Sequence, residues 1–280
     1  MIYITPNISI GNIQAALGIW NEKIKEIFSL LSLDPAAFKG GSAYLLMTRI
    51  NESLKAIGYS LLVLFFIYGL VSESITLNEL KRPETGIRLI LRFVLSKSVI
   101  TYGLDLLQAL TRIGSGISDT VLKTGKGLLG GELMIPDEIQ QCFSFQGILE
   151  GLPLFIVSLL ACLVILVLSY VLLFTVYGRF FRIYILTAVA PLPLSAFASE
   201  KTQRAGIQFL KVYISSILEG IVIVLACMLY SSLAVSMPQI SEDASASSKI
   251  WLFLGEMVFN MLILVGIVKG SDRLVREISG

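Results

Sequence analysis

The sequence predicts an all-α polytopic membrane protein. The expected form is a transmembrane helical bundle of about five spans, with a proline-broken re-entrant segment and an N-terminal amphipathic helix. Three observations predict it. Of 280 residues, 55% are apolar and only 15% are charged, with a mean hydropathy of +0.81, whereas a soluble domain carries about 25% charge. The apolar residues come in long blocks, the clearest being 152–177, twenty-six residues without a charge. A further apolar run, 183–197, is interrupted by Pro191 and Pro193.

The same composition excludes several functions. The net charge of +2 is too small to imply a nucleic-acid-binding surface. There is no histidine, so the usual general base and the commonest transition-metal ligand are missing. Cys142, Cys162 and Cys227 lack the short spacings of a zinc site or a disulfide framework. No cofactor, metal or enzymatic activity is expected.

Residues 1–53 form the expected N-terminal amphipathic segment, and 54–280 the transmembrane domain. The N-terminus has no basic region followed by an apolar core, so no cleavable signal peptide is expected. Ile13, Ala16, Leu17, Trp20, Ile24, Ile27, Phe28 and Leu31 recur at steps of three and four, predicting a helix from about Asn12 to just before Asp34-Pro35. It is too polar to span. Two readings stay open: an interfacial or partner-binding helix anchored by Trp20, and a helix packed on the protein's own bundle.

The first span covers about 54–71, and a basic connector with Lys81, Arg82, Arg88 and Arg92 follows. The next helix, about 90–113, carries Lys97, Thr101, Asp105, Gln108 and Arg112 on one narrow stripe. Charge at bilayer depth faces a bundle interior, a partner or water. The helix is therefore expected to span with its stripe against a subunit or a wet cavity; a helix lying in the interface plane is the alternative. Residues 113–151 are expected as an external loop, rich in glycine but without a strand before it that would make a phosphate loop.

After the span at 152–177, Arg179 and Arg182 supply closing positive charges. Two further spans are expected, 207–236 carrying Glu219 and 250–268 carrying Glu256, joined by a polar loop. Both carboxylates are candidate intramembrane sites or partners of basic residues on a neighbouring helix.

Positive charge sets the orientation. If 183–197 crosses, the six spans show no charge bias. If it enters and returns, twelve positive residues fall inside (Lys81, Arg82, Arg88, Arg92, Arg179, Arg182, Lys201, Arg204, Lys211, Lys269, Arg273, Arg276) and four outside (Arg112, Lys123, Lys126, Lys249). Four further positive residues before the first span (Lys23, Lys25, Lys39 and Arg49), with Lys55 at its start, lie outside in this arrangement and weaken the asymmetry without reversing it. The stretch 183–190 gives only about 12 Å of helix at 1.5 Å per residue, and re-entrant backbone must be covered by protein or water. The expected layout is N-terminus outside, five spans and C-terminus in the cytoplasm. A proline-kinked ordinary span is the alternative for 183–197.

Ala190-Pro191-Leu-Pro193-Leu-Ser-Ala-Phe197, the polar stretch Glu200-Lys201-Thr202, and Phe209-Leu210-Lys211 opening a long span resemble the TrbL-type polytopic subunits of conjugative type IV secretion systems. The likeness is to the versions on mobile elements of Gram-positive bacteria. It is strongest over 151–280, with the first half similar in layout alone. The resemblance implies a non-enzymatic platform or channel subunit in the cell membrane that supports DNA and protein transfer. The partners it implies are copies of itself around a channel axis, other secretion subunits including cytoplasmic ATPases, the lipid bilayer and transferred single-stranded DNA. The structural and functional candidates are Pro191, Pro193, Lys97, Asp105, Arg112, Glu219, Glu256, Arg179 and Arg182.

Two other functions compete. An ion-coupled secondary transporter would use a broken helix with Glu219 and Glu256, but the chain has no internal repeat and one broken segment where inverted repeats supply two. An intramembrane enzyme built on Ser195 and Lys201 lacks any supporting spacing.

Overall fold

A computed structural model describes residues 4–72, 83–125, 132–144, 148–234 and 245–279. Lys81, Arg82, Lys126 and most of the loop before Ser245 lie outside the described residues. The described chain is α-helical, with α1 (Ile4–Leu31), α2 (Ser42–Ser72), α3 (Pro83–Thr101), α4 (Gly103–Thr124), α5 (Asp137–Ser144), α6 (Ile148–Val189), the single turn α7 (Pro191–Leu194), α8 (Gln203–Ala234) and α9 (Ala246–Ser279). Among the described residues, four helical segments are long and apolar enough to cross a membrane: Pro35–Ser72, Pro153–Val189, Gln203–Ser231 and Ala246–Ile278.

The chain divides into two compact units. The first combines residues 1–32, 118–177 and 221–271. Its α1 buries Ile13, Ala16, Leu17, Trp20, Ile27 and Leu31, leaving Gln14, Glu22, Lys25 and Ser29 on the exposed face. The Trp20 ring meets Tyr230 edge-on at 6.1 Å. Of the two readings for this helix, the structure selects packing within the chain's own bundle. The segment before α5 holds it: the Asn21 side-chain amide donates to Leu133 O (3.1 Å) and accepts from Leu133 N (3.2 Å), and Lys25 pairs with Glu132 at 2.6 Å.

The second unit combines 33–117, 178–220 and 272–280. It opens with a tight turn, Pro35–Gly41, capped by Asp34, whose carboxylate accepts from Ala36 N at 3.0 Å. Lys39, Gly40 and Gly41 have positive φ there, which glycine tolerates and other residues adopt at a cost. The core joins Leu62, Ile100, Leu107, Ile183, Leu194, Phe209, Tyr213 and Ile217 from five helices and the turn at Pro191.

Several expected boundaries change. The helix expected over 90–113 is two helices, α3 and α4, broken at Tyr102. Lys55 Nζ takes Thr101 O at 3.1 Å, and a Cβ on the buried Gly103 would stand 2.8 Å from Leu194 Cδ1. An external side-chain donor and a bulky intruder at a glycine are recognised causes of helix kinks. The expected loop 113–151 is largely helical, because α4 continues to Thr124 and α5 follows. Gly114 lies inside α4 where a side chain would collide with Ile217, so close packing rather than a turn explains it.

The expected re-entrant segment 183–197 also changes. Residues 183–189 are the last two turns of α6, which runs unbroken through Gly178-Arg179. Its 42 residues give about 63 Å of helix at 1.5 Å per residue, roughly twice the ~30 Å hydrocarbon core. The chain turns only at 190–198. There α7, with Pro191 at its first position, and a 3-10 turn Ser195–Ala198 form a compact elbow before α8.

Candidate functional site

The proline elbow is packed on all sides that the sequence makes apolar. Pro191, Leu194, Ser195, Ala196, Ala198 and Ser199 are buried, and Pro193 is half-buried. A Cβ on Gly58 of α2 would meet Pro191 O at 2.9 Å, and one on Gly69 would meet Ser199 Oγ at 2.7 Å. Two glycines eleven residues apart thus let α2 lie against both ends of the elbow. The elbow's free backbone groups are answered locally: Thr202 Oγ1 donates to Ala196 O at 2.7 Å and Ser195 Oγ to Leu192 O at 2.6 Å. Glu200, at its exposed end, pairs with Arg92 of α3 at 2.8 Å.

From the elbow, the end of α6 and the start of α8 run as an antiparallel hairpin. Thr187 and Tyr213 hydroxyls lie 3.2 Å apart, and Tyr213 also reaches Leu107 O at 3.4 Å. Asn51 of α2 donates to Thr187 O at 2.6 Å. Farther from the elbow sits a partly buried charge cluster, in which Glu219 is buried and Arg182, Asp272 and Arg276 reach the surface. Arg182 Nη1 donates to Glu219 at 3.0 Å and to Asp272 of α9 at 2.5 Å. Arg276 Nε donates to the same Asp272 oxygen at 3.2 Å.

Arg179, one turn before Arg182, is only 2% exposed. Its Nε donates to Ser216 O at 3.2 Å, while Nη1 has no protein partner. Its guanidinium lies 5.4 Å from the Phe180 ring centroid, and Phe38 stacks on the same ring at 4.3 Å. Gly220 makes room for the guanidinium: any Cβ there would overlap it. Three arginines face two carboxylates, so the cluster keeps one formal positive charge. Buried charges persist where they are paired and hydrogen-bonded, and here the pairs tie α6, α8 and α9 together.

Of the candidates, Arg179, Arg182 and Glu219 come together, and Pro191 and Pro193 shape the elbow of the same hairpin. The others do not join them. Lys97 and Asp105 are exposed on either side of the Tyr102 break. Arg112 is exposed and stands 3.9 Å from Asp34. Glu256 lies half-buried on α9 in the other unit. Asp272, Arg276 and Gly220 belong to the cluster but carry no sequence signal as candidates. Among the described residues, no three His, Cys, Asp or Glu are grouped to hold a metal ion.

Long apolar helices joined by a buried elbow and an ion cluster define a polytopic helical membrane protein. The family of TrbL/VirB6 plasmid conjugal transfer like proteins matches residues 20–191, more than half of the chain. The chain belongs to that family, and is a membrane subunit of conjugal transfer machinery that works with other subunits of it. The match ends at Pro191 and covers mostly the first two-thirds; the likeness expected to be strongest over 151–280 is thus carried by the earlier part. No curated protein and no solved structure matches the chain.

Proposed function

We propose that this chain is a non-enzymatic channel platform subunit of a conjugative secretion system, assembling with copies of itself to support passage of DNA and protein across the cell membrane. Family membership is the observation that carries this reading. The side chains support it: among the described residues, buried Asn51, Tyr213 and Glu219 join helices to one another, and Ser195 and Lys201 do not pair as nucleophile and base. Ser195 Oγ is engaged by Leu192 O, and Lys201 is exposed.

The proposed orientation has the elbow and the C-terminal tail on the cytoplasmic side, where ATPase partners dock. In support, α8 and α9 are both long enough to cross, which returns the chain to the side it left. The bond between Arg182 and Asp272 joins the two ends of that excursion. A fifth crossing by α3 and α4 puts the N-terminus outside. Its support is that α3 runs antiparallel beside α2, with Tyr59 opposite Thr101 and Phe66 opposite Phe93.

An in-frame deletion tests the function. Loss of transfer, restored by the wild-type chain in trans, together with co-purification of the conjugation ATPase, is the expected result. Transfer at wild-type frequency from the deletion strain would contradict it.

A further inference from the structure

One side of α3 carries a groove of about 580 Å³ whose lining includes Glu84, Arg88, Leu91, Arg92, Leu95 and Val99, with Phe197 of the elbow. Its position follows from the pairing of α3 with α2. The Tyr59 and Thr101 hydroxyls are 3.0 Å apart and the Phe66 and Phe93 rings 5.0 Å apart, so the two helices are antiparallel. The same register sets Ser72, the end of α2, opposite Ile87 and Arg88. Arg88 therefore stands where the apolar run of α2 stops. Leu91, Leu95 and Val99 follow back along that run. From Arg88 to Val99 is about 16 Å at 1.5 Å per residue, or half of the ~30 Å hydrocarbon core. That is the depth of one leaflet.

The charges are ordered as well. Arg88 borders the apolar slot, and Glu84 lies one turn farther out on the same helix face. Both are exposed, and among the described residues no ion pair joins them. Arg92, by contrast, is held by Glu200 at 2.8 Å. A positive group followed outward by a negative one matches a phosphate followed outward by an ammonium. An anionic headgroup would satisfy Arg88 and be repelled by Glu84, and a lone acyl chain would use neither.

We propose that this groove binds one phospholipid with a primary-ammonium headgroup, of the phosphatidylethanolamine class. Its acyl chain lies on Leu91, Leu95, Val99 and Phe197, its phosphate on Arg88 and its ammonium on Glu84. The site rests on α2 crossing the membrane and is independent of the channel role, so its failure and a failure of the mating tests are separate results.

The test is native mass spectrometry of the full chain in detergent, titrated with phosphatidylethanolamine, phosphatidylglycerol and phosphatidylcholine of matched acyl chains. The wild type is expected to retain phosphatidylethanolamine about fivefold more strongly than either other lipid, from one interfacial charge contact. Arg88→Gln weakens phosphatidylethanolamine and phosphatidylglycerol alike, Glu84→Gln removes the preference between those two, and Leu95→Trp blocks the slot to all three. All three substituted side chains are exposed, so the variants keep the fold, checked by circular dichroism. Phosphatidylglycerol bound as tightly as phosphatidylethanolamine, unchanged binding by Arg88→Gln or Leu95→Trp, or a lipid-free dimer closing the groove would each overturn the proposal.

Discussion

Arg182 and Glu219 face each other at 3.0 Å across the hairpin of α6 and α8, with the carboxylate almost wholly buried. The arginine is shared, since Asp272 of α9 takes the same Nη1. Removing Glu219 therefore strips the buried partner from Arg182 and the nearest carboxylate from the sealed Arg179. Glu219→Ala is expected to destabilise the protein by about 3–5 kcal/mol. Asp272→Ala should cost much less, ~1 kcal/mol or below, because that side chain is about a third exposed. Thermal denaturation of the detergent-solubilised variants compares them; equal losses would show that burial does not set the strength of this cluster.

Gly220 tests the same cluster from the backbone side. Any side chain there overlaps the Arg179 guanidinium, which is already confined by Ser216 O and the Phe180 ring. Gly220→Val is expected to cost about 1–3 kcal/mol by overpacking. Gly116→Val, on α4 where a Cβ meets nothing within 4 Å, is the control and should change stability by under ~0.5 kcal/mol, since valine is no worse than glycine in a helix. A Gly220 variant no weaker than the control would mean that Arg179 moves aside freely.

The orientation is checked by cysteine labelling. With Cys142, Cys162 and Cys227 replaced, single cysteines at the exposed Lys201 and at Gly270 should both be shielded from an impermeant external thiol reagent, and one at Ser245 should react. Labelling of both the Lys201 and Gly270 positions from outside would reverse the assignment of the elbow and the tail.

The elbow itself is expected to matter for assembly more than for insertion. Pro191→Ala with Pro193→Ala restores two backbone donors and lets α6 continue past Val189. Membrane-fraction yield should stay at the wild-type level while mating frequency falls at least tenfold. Normal transfer in the double variant would make the prolines dispensable.

Much of this architecture is legible in the sequence, and the exceptions have physical causes. The apolar run at 152–177 announces a span, and Pro191 stops its helix. What hides α6's true length is Gly178-Arg179-Phe-Phe-Arg182, which looks like the flank of a span. Nothing in it breaks a helix, and the charges survive inside because Glu219 and Asp272 meet Arg182 from 37 and 90 residues away. Local pattern carries no record of such pairings. Gly114 misleads in the other direction. It suggests a loop, yet it sits inside α4 at a contact with Ile217. The amphipathic period of α1 is plain in the sequence, but only Tyr230 and the Leu133 backbone decide what covers it.

The conduit role is tested most directly by crosslinking during mating. Formaldehyde is applied to mating cells, this chain is immunoprecipitated, and the transferred strand is sought by amplification. Recovery of that DNA from wild-type matings, and its absence when the coupling ATPase is removed, is the predicted result. Ongoing transfer with no DNA recovered on this chain would contradict its place in the conduit.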